Sequence, residues 1–195
     1  MILFCYSVYS KCFYFHSNCI SISFVGLLLP IGKGRIVRQP GAMSPNGAAS
    51  IRGRSREDRI AILSFGTRLH DSLIAANDIE QMDPSIGITV ADARFMKPLD
   101  FDLIHKLMSD NSVIITIEEG SIGGFGDHVL HHLANEGALD DGKLKFRAMV
   151  LPDKLFEAGT QNEQYDEAGL NAKHIKETIL RVSKRVTSPA IEVYK

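Results

Sequence analysis

From Arg59 onward, apolar runs and helical stripes alternate with a regularity that sets the architecture. Ile60 to Phe65 is a mainly apolar run ending at Gly66, after which Leu69, Leu73, Ile74 and Ala76 recur at helical spacing. Ile88 to Ala91 repeats the strand pattern. Pro98 then opens a helix with Leu103, Ile104 and Leu107 inward, since proline in a first turn lacks only a donor that would have no intrahelical partner. Val113 to Ile117 is a third strand, followed by a glycine-rich turn and a helix with Val129, Leu130 and Leu133 inward. Phe146 to Leu151 is a fourth strand stopped by Pro152, and a last helix from about Asn171 carries Ile175, Ile179, Leu180 and Val182 on one face. Strands of continuous Val, Ile and Ala between amphipathic helices predict a three-layer α/β fold, a mostly parallel sheet with helices on both faces.

Two stretches depart from this pattern. Residues 1–30 hold aromatic side chains from Phe4 to Phe24 and one charge, Lys11, and do not read as a core element. They match neither a secretory signal nor an arginine-rich transit peptide, and are read as a presequence or as residues not normally translated. Their apolar run, Ile20 to Leu29, is half the ~20 residues of a membrane span. Residues 39–58 are turn formers and small polar residues, a solvated loop in which Arg52, Arg54 and Arg56 form a short basic tract. The globular domain is thus 31–187, with a tail at 188–195.

With 195 residues and a net charge of −1, the chain has no basic field to draw nucleic acid or an anionic membrane. Cys5, Cys12 and Cys19 all fall in the leader, so the domain has no disulfide, and their spacing lacks the close pairs of a thiolate zinc site.

Ligands and partners of open parallel sheets meet the loops at the carboxyl ends of strands. Three polar clusters are placed there: Asp92, Arg94 and Lys97; Glu118, Glu119 and Ser121; and Asp153. Gly120, Gly123, Gly124 and Gly126 fit neither the phosphate loop nor the dinucleotide fingerprint, and are read as glycines that let strand, helix and a neighbouring chain pack closely. Glu118 and Glu119 are consecutive, so on a strand end they point oppositely and do not form a facing acid/base pair. Both lie near the helix starting about Phe125, whose amino terminus a carboxylate stabilises. His128, His131 and His132 share a helix side at metal-compatible spacing, but no Glu stands between them as in His-Glu-x-x-His, and they are read as a solvated or interface patch. Ser64 and Ser121 lack the Gly-x-Ser-x-Gly elbow of serine hydrolases.

Five separated motifs, in order, carry a family resemblance. They are Arg59 to Thr67; Thr89 to Phe95 with Lys97-Pro98-Leu99-Asp100; Glu118 to Gly126; Val150 to Asp153; and Glu167 to Leu170. Over roughly Pro30 to Val182 the chain resembles the C-terminal domain of 1-deoxy-D-xylulose-5-phosphate synthase, a thiamine-diphosphate enzyme of the transketolase family. The C-terminal domain of 2-oxoacid dehydrogenase β subunits is similar in fold but fits the second and third motifs less well. Residues 39–58 replace a short turn in that family, so they are an insertion.

The resemblance implies a reaction that couples pyruvate to glyceraldehyde 3-phosphate with loss of carbon dioxide, feeding isoprenoid, thiamine and pyridoxal synthesis. Thiamine diphosphate carries the carbanion there and magnesium clamps its diphosphate. Those roles belong to an amino-terminal domain with a Gly-Asp-Gly motif and to a middle domain whose Glu activates the cofactor. Neither motif has a counterpart here, Gly126-Asp127-His128 being the nearest approach. The resemblance therefore assigns this chain no catalytic, cofactor-binding or metal residue. It implies a C-terminal piece, inactive alone, that packs on the synthase's other domains or on a second synthase chain in a dimer. Asp92, Arg94, Lys97, Glu119, Gly123, Gly124 and Gly126 are the expected contact surface. The other reading is a stand-alone interaction or regulatory module that docks on a full-length synthase or another transketolase-family enzyme. By analogy, the pathway places it in a plastid in a eukaryote and in the cytoplasm in a bacterium.

Overall fold

The computed structural model describes residues 33–39, 55 and 59–183. The 1–30 leader, nearly all of the 39–58 insertion with its arginine tract, and the 188–195 tail lie outside these described residues.

The strands are β1 (Arg35–Arg38), β2 (Arg59–Ser64), β3 (Gly87–Asp92), β4 (Val113–Ser121) and β5 (Lys145–Leu151). The helices are α1 (Leu69–Met82), α2 (Phe101–Asp110), α3 (Phe125–Asn135), α4 (Gln161–Ala168) and α5 (Ala172–Val182). One sheet runs in the order β1-β3-β2-β4-β5, parallel throughout except for β1, which pairs antiparallel with β3. The middle strands are apolar at successive positions because both their faces are covered. Ile60, Ile62, Ile88, Val90, Ile115 and Ile117 face α1 and α5, meeting Ala75, Ala76, Ile79, Ile175 and Ile179. Ala61, Leu63, Ala91 and Ile114 face α2 and α3, meeting Leu103, Ile104, Leu107, Phe125, Val129 and Leu133. The expected three-layer α/β fold is what forms.

Local differences have local causes. Ile74 is exposed, because the buried stripe of α1 is Ser72, Ala75, Ala76 and Ile79, and 100° per residue turns position 74 away from it. Leu130 likewise sits at the flank of the stripe made by Phe125, Val129 and Leu133, and is exposed. Pro98 precedes α2 rather than opening it. The helix starts at Phe101 behind Asp100, whose carboxylate accepts from Leu103 N at 3.1 Å and from Gly34 N at 2.9 Å.

Two elements are fixed chiefly by polar contacts. Strand β1 is held through Arg38, a buried guanidinium 2.9 Å from Glu80, whose other oxygen accepts from Ile88 N at 3.2 Å. Helix α4 is polar around its circumference and is defined by its ends. Thr160 and Glu163 form a capping box, and Gly169 closes the helix in the left-handed conformation at φ 74°. Among the described residues, no helix is long and apolar enough to cross a membrane.

Candidate functional site

The carboxyl edge of the sheet gathers the expected clusters, and β4 is its centre. Pairing with β5 shifts register between Ile117 and Ser121, so the end of β4 bends while carrying both acids.

Glu118 turns toward α3 and is buried. Its carboxylate accepts from Phe125 N at 2.9 Å and Gly126 N at 2.8 Å, the first amides of the helix. Those donors have no intrahelical partner and lie at the positive end of the helix dipole, which is what makes a buried carboxylate tolerable. The glycines fit around it. A Cβ at Gly120 would come 2.5 Å from Glu118 Oε2, and one at Gly124 would overlap both carboxylate oxygens. At Gly126 the Cβ would come 2.8 Å from Thr116 Oγ1 and 3.1 Å from Ala148 Cβ. Gly123 is different: its φ of 93° is a backbone requirement in open space. The helix-terminus role expected of the two acids thus falls to Glu118 alone.

Glu119 turns to the opposite side of the strand. Its Oε1 accepts from Tyr165 OH at 2.7 Å and Arg68 Nε at 3.2 Å, and Thr67 Oγ1 also donates to it. The Arg68 guanidinium stacks 3.6 Å above the Tyr165 ring and pairs with Asp71 at 3.0 Å. Burial above all, then the bond to Glu119, raises the pKa of the Tyr165 phenol. Glu119 therefore ties β4 to α1 and α4. Sequence reasoning missed Arg68 and Tyr165; the signal available was the Thr160–Glu163 capping box, which marks the helix that presents Tyr165.

A further cluster follows β3. Asp92 accepts from Arg94 N at 3.1 Å, and Arg94 takes a left-handed backbone at φ 60° with its guanidinium reaching Lys33 O at 3.4 Å. Arg94 and Lys97 are exposed. Of the expected contact residues, Asp92, Arg94, Lys97, Glu119 and Gly123 reach the surface and Gly124 is half-buried. Gly126 is a correction: it is buried beneath the turn, against Thr116 and Ala148, and is no part of a surface. Ile122, at the tip of the turn, is exposed and was not expected.

The three histidines of α3 do not share partners. His131 bonds Asn135 at 2.9 Å, whereas His132 faces His105 of α2, with ring centroids 5.3 Å apart. The acids beside the glycine turn are likewise engaged internally. Asp127, in the nearest approach to the synthases' metal motif, accepts from Gly123 N within its own turn, and Glu118 is enclosed.

These features define a covered, mostly parallel α/β domain whose carboxyl edge is a glycine-lined turn closed around an internal acid. The chain belongs to the transketolase C-terminal domain family, whose model matches residues 47–175. Among solved structures, it is similar to a split-gene transketolase in an inactive β4 tetramer, at TM-score 0.60 and 20% identity, over 78% of this chain and 42% of that one. The transketolase of Campylobacter jejuni subsp. jejuni NCTC 11168 aligns at TM-score 0.39 and 17% identity, over 66% of this chain and 17% of that one. The chain thus spans less than half the length of either.

Proposed function

We propose that this domain is the C-terminal domain of a 1-deoxy-D-xylulose-5-phosphate synthase, silent by itself and needed to complete the enzyme by contact. The observation that carries this reading is the fate of the acids at the edge. Glu118 is spent on the amides of α3 and Glu119 on Arg68 and Tyr165, so neither is poised to move a substrate proton. What the edge offers outward is Ile122, Gly123, Arg94 and Lys97, a mixed apolar and basic surface suited to another protein. The five ordered motifs favour the synthase over other transketolase relatives. Thiamine diphosphate and magnesium would be held by the domains this sequence does not contain.

The second reading draws support from the split-gene transketolase, whose β4 tetramer is inactive. On that reading the chain is a separate module that docks on a full-length synthase or another transketolase-family enzyme and modulates it.

Both are tested with the full 195-residue chain in the presence of pyruvate, glyceraldehyde 3-phosphate, thiamine diphosphate and magnesium. The chain alone is expected to give no turnover. Added to the amino-terminal and middle domains of a synthase, it is expected to restore formation of 1-deoxy-D-xylulose 5-phosphate, and not ketol transfer from a ketose phosphate. Turnover by the chain alone would overturn the proposal, and restored ketol transfer would place the domain with transketolase itself.

A further inference from the structure

We propose that His105, His132 and Glu136 form a binding site for a divalent transition-metal ion, zinc by preference, that clips α2 to α3. Their ligand atoms, one from each residue, all lie within 4.8 Å of one another. His105 Nε2 is 2.7 Å from Glu136 Oε2, and His132 Nε2 is 3.6 Å from Glu136 Oε1. A tetrahedral ion bound at about 2.0–2.1 Å holds its nitrogen and oxygen ligands roughly 3.3 Å apart. The two observed separations, one to each oxygen of the Glu136 carboxylate, bracket that value, and His105 and Glu136 are exposed side chains with room to adjust around an ion.

A second observation points the same way. His132 Nε2 is buried and has no hydrogen-bond partner among the described residues. The ring packs against Phe101, 4.4 Å away between centroids. A buried polar nitrogen without a partner is costly, and a metal ion satisfies it directly. Glu136, which caps the carboxyl end of α3, stands four residues after His132, and His105 comes from the neighbouring helix, so the ion would join two elements rather than decorate one.

Donor chemistry selects the ion. Two imidazoles and one carboxylate suit zinc and its neighbours, whereas magnesium and calcium want oxygen. Three protein ligands leave a fourth position for water. Helix α3 starts at the carboxyl edge and runs back along the sheet, which puts its last turn away from the contact surface proposed above. The site is therefore independent of that reading.

The test uses the metal-stripped full chain and zinc alone as probe, followed by calorimetric titration and thermal unfolding. Saturable one-to-one binding is expected, with the melting temperature rising by roughly 5–10 °C at zinc about a hundredfold above Kd. His105→Ala and Glu136→Gln, both at exposed positions, are expected to weaken binding about tenfold or more while leaving the circular dichroism unchanged. His128→Ala and His131→Ala should leave affinity as it was, as should changing Cys5, Cys12 and Cys19 together to serine. Magnesium is expected to give no shift. Absence of saturable zinc binding, or equal affinity in His105→Ala and Glu136→Gln, would overturn the proposal.

Discussion

At the end of β4, Glu118 turns to the α3 side of the sheet and is met by backbone amides, whereas Glu119 turns to the α1 and α4 side and is met by side chains. Glu118 is enclosed by glycines that leave no room for a Cβ, and its partners lie seven and eight residues along the chain. Glu119 is a third exposed, and its partners come from two other helices far away in sequence. Neighbouring identical residues thus do different work: one shapes a turn, the other fastens separate elements. The pleat of the strand separates them, and the burial of their partners decides how much each is worth.

That contrast can be broken most severely at Glu118. Glu118→Ala leaves two buried amides without an acceptor, and a loss of about 3 kcal/mol is expected, read as a fall of roughly 6–12 °C in melting temperature. Next, Gly124→Ala drives a methyl into the same carboxylate from outside and is expected to cost about 2 kcal/mol, with little further loss when combined with Glu118→Ala. Asp100→Ala removes the cap of α2 and the tie to Gly34, at about 1 kcal/mol in the same unfolding measurement. Glu119→Gln keeps a hydrogen-bonding side chain among partly exposed partners and is expected to stay below about 1 kcal/mol.

Alkaline pH sharpens the Glu119 side alone. Burial and the bond to Glu119 favour the neutral phenol of Tyr165, so its pKa is higher folded than unfolded. Stability from this group is complete below the ordinary tyrosine range and drains away as the pH climbs through the raised folded value. Tyr165→Phe is expected to show a shallower alkaline decline in melting temperature than the unchanged protein, and an identical slope would refute the linkage.

Sequence reading reached the parts of this picture that periodicity writes down. Ile60, Ile88 and Val113 announce buried parallel strands because apolar residues follow one another without a polar face, whereas the edge strand from Phe146 carries Arg147 and is half-exposed. The helix-terminus role of an acid before Phe125 was legible as well, since carboxylate, glycines and helix are contiguous. Strand β1 was legible as the strand-like run before residue 39, but not its anchor, because Arg38 is buried by pairing with Glu80, 42 residues away, and no apolar pattern records that. Helix α4 carries almost no apolar stripe, so its capping box was the signal left to read. Partnerships such as Glu119 with Tyr165, or His105 with His132, exist only once the helices have packed. Gly126 was mistaken for surface because burial of a glycine leaves no mark on sequence.

The central claim, that the carboxyl edge is a contact surface and not a reaction centre, is tested most directly by amide hydrogen exchange. The full chain would be measured alone and with the amino-terminal and middle domains of a synthase. The expected result is new protection confined to residues 92–97 and 119–124, with the outer face of α2 and α3 unchanged. Protection on α2 and α3 with none at the carboxyl edge would contradict it.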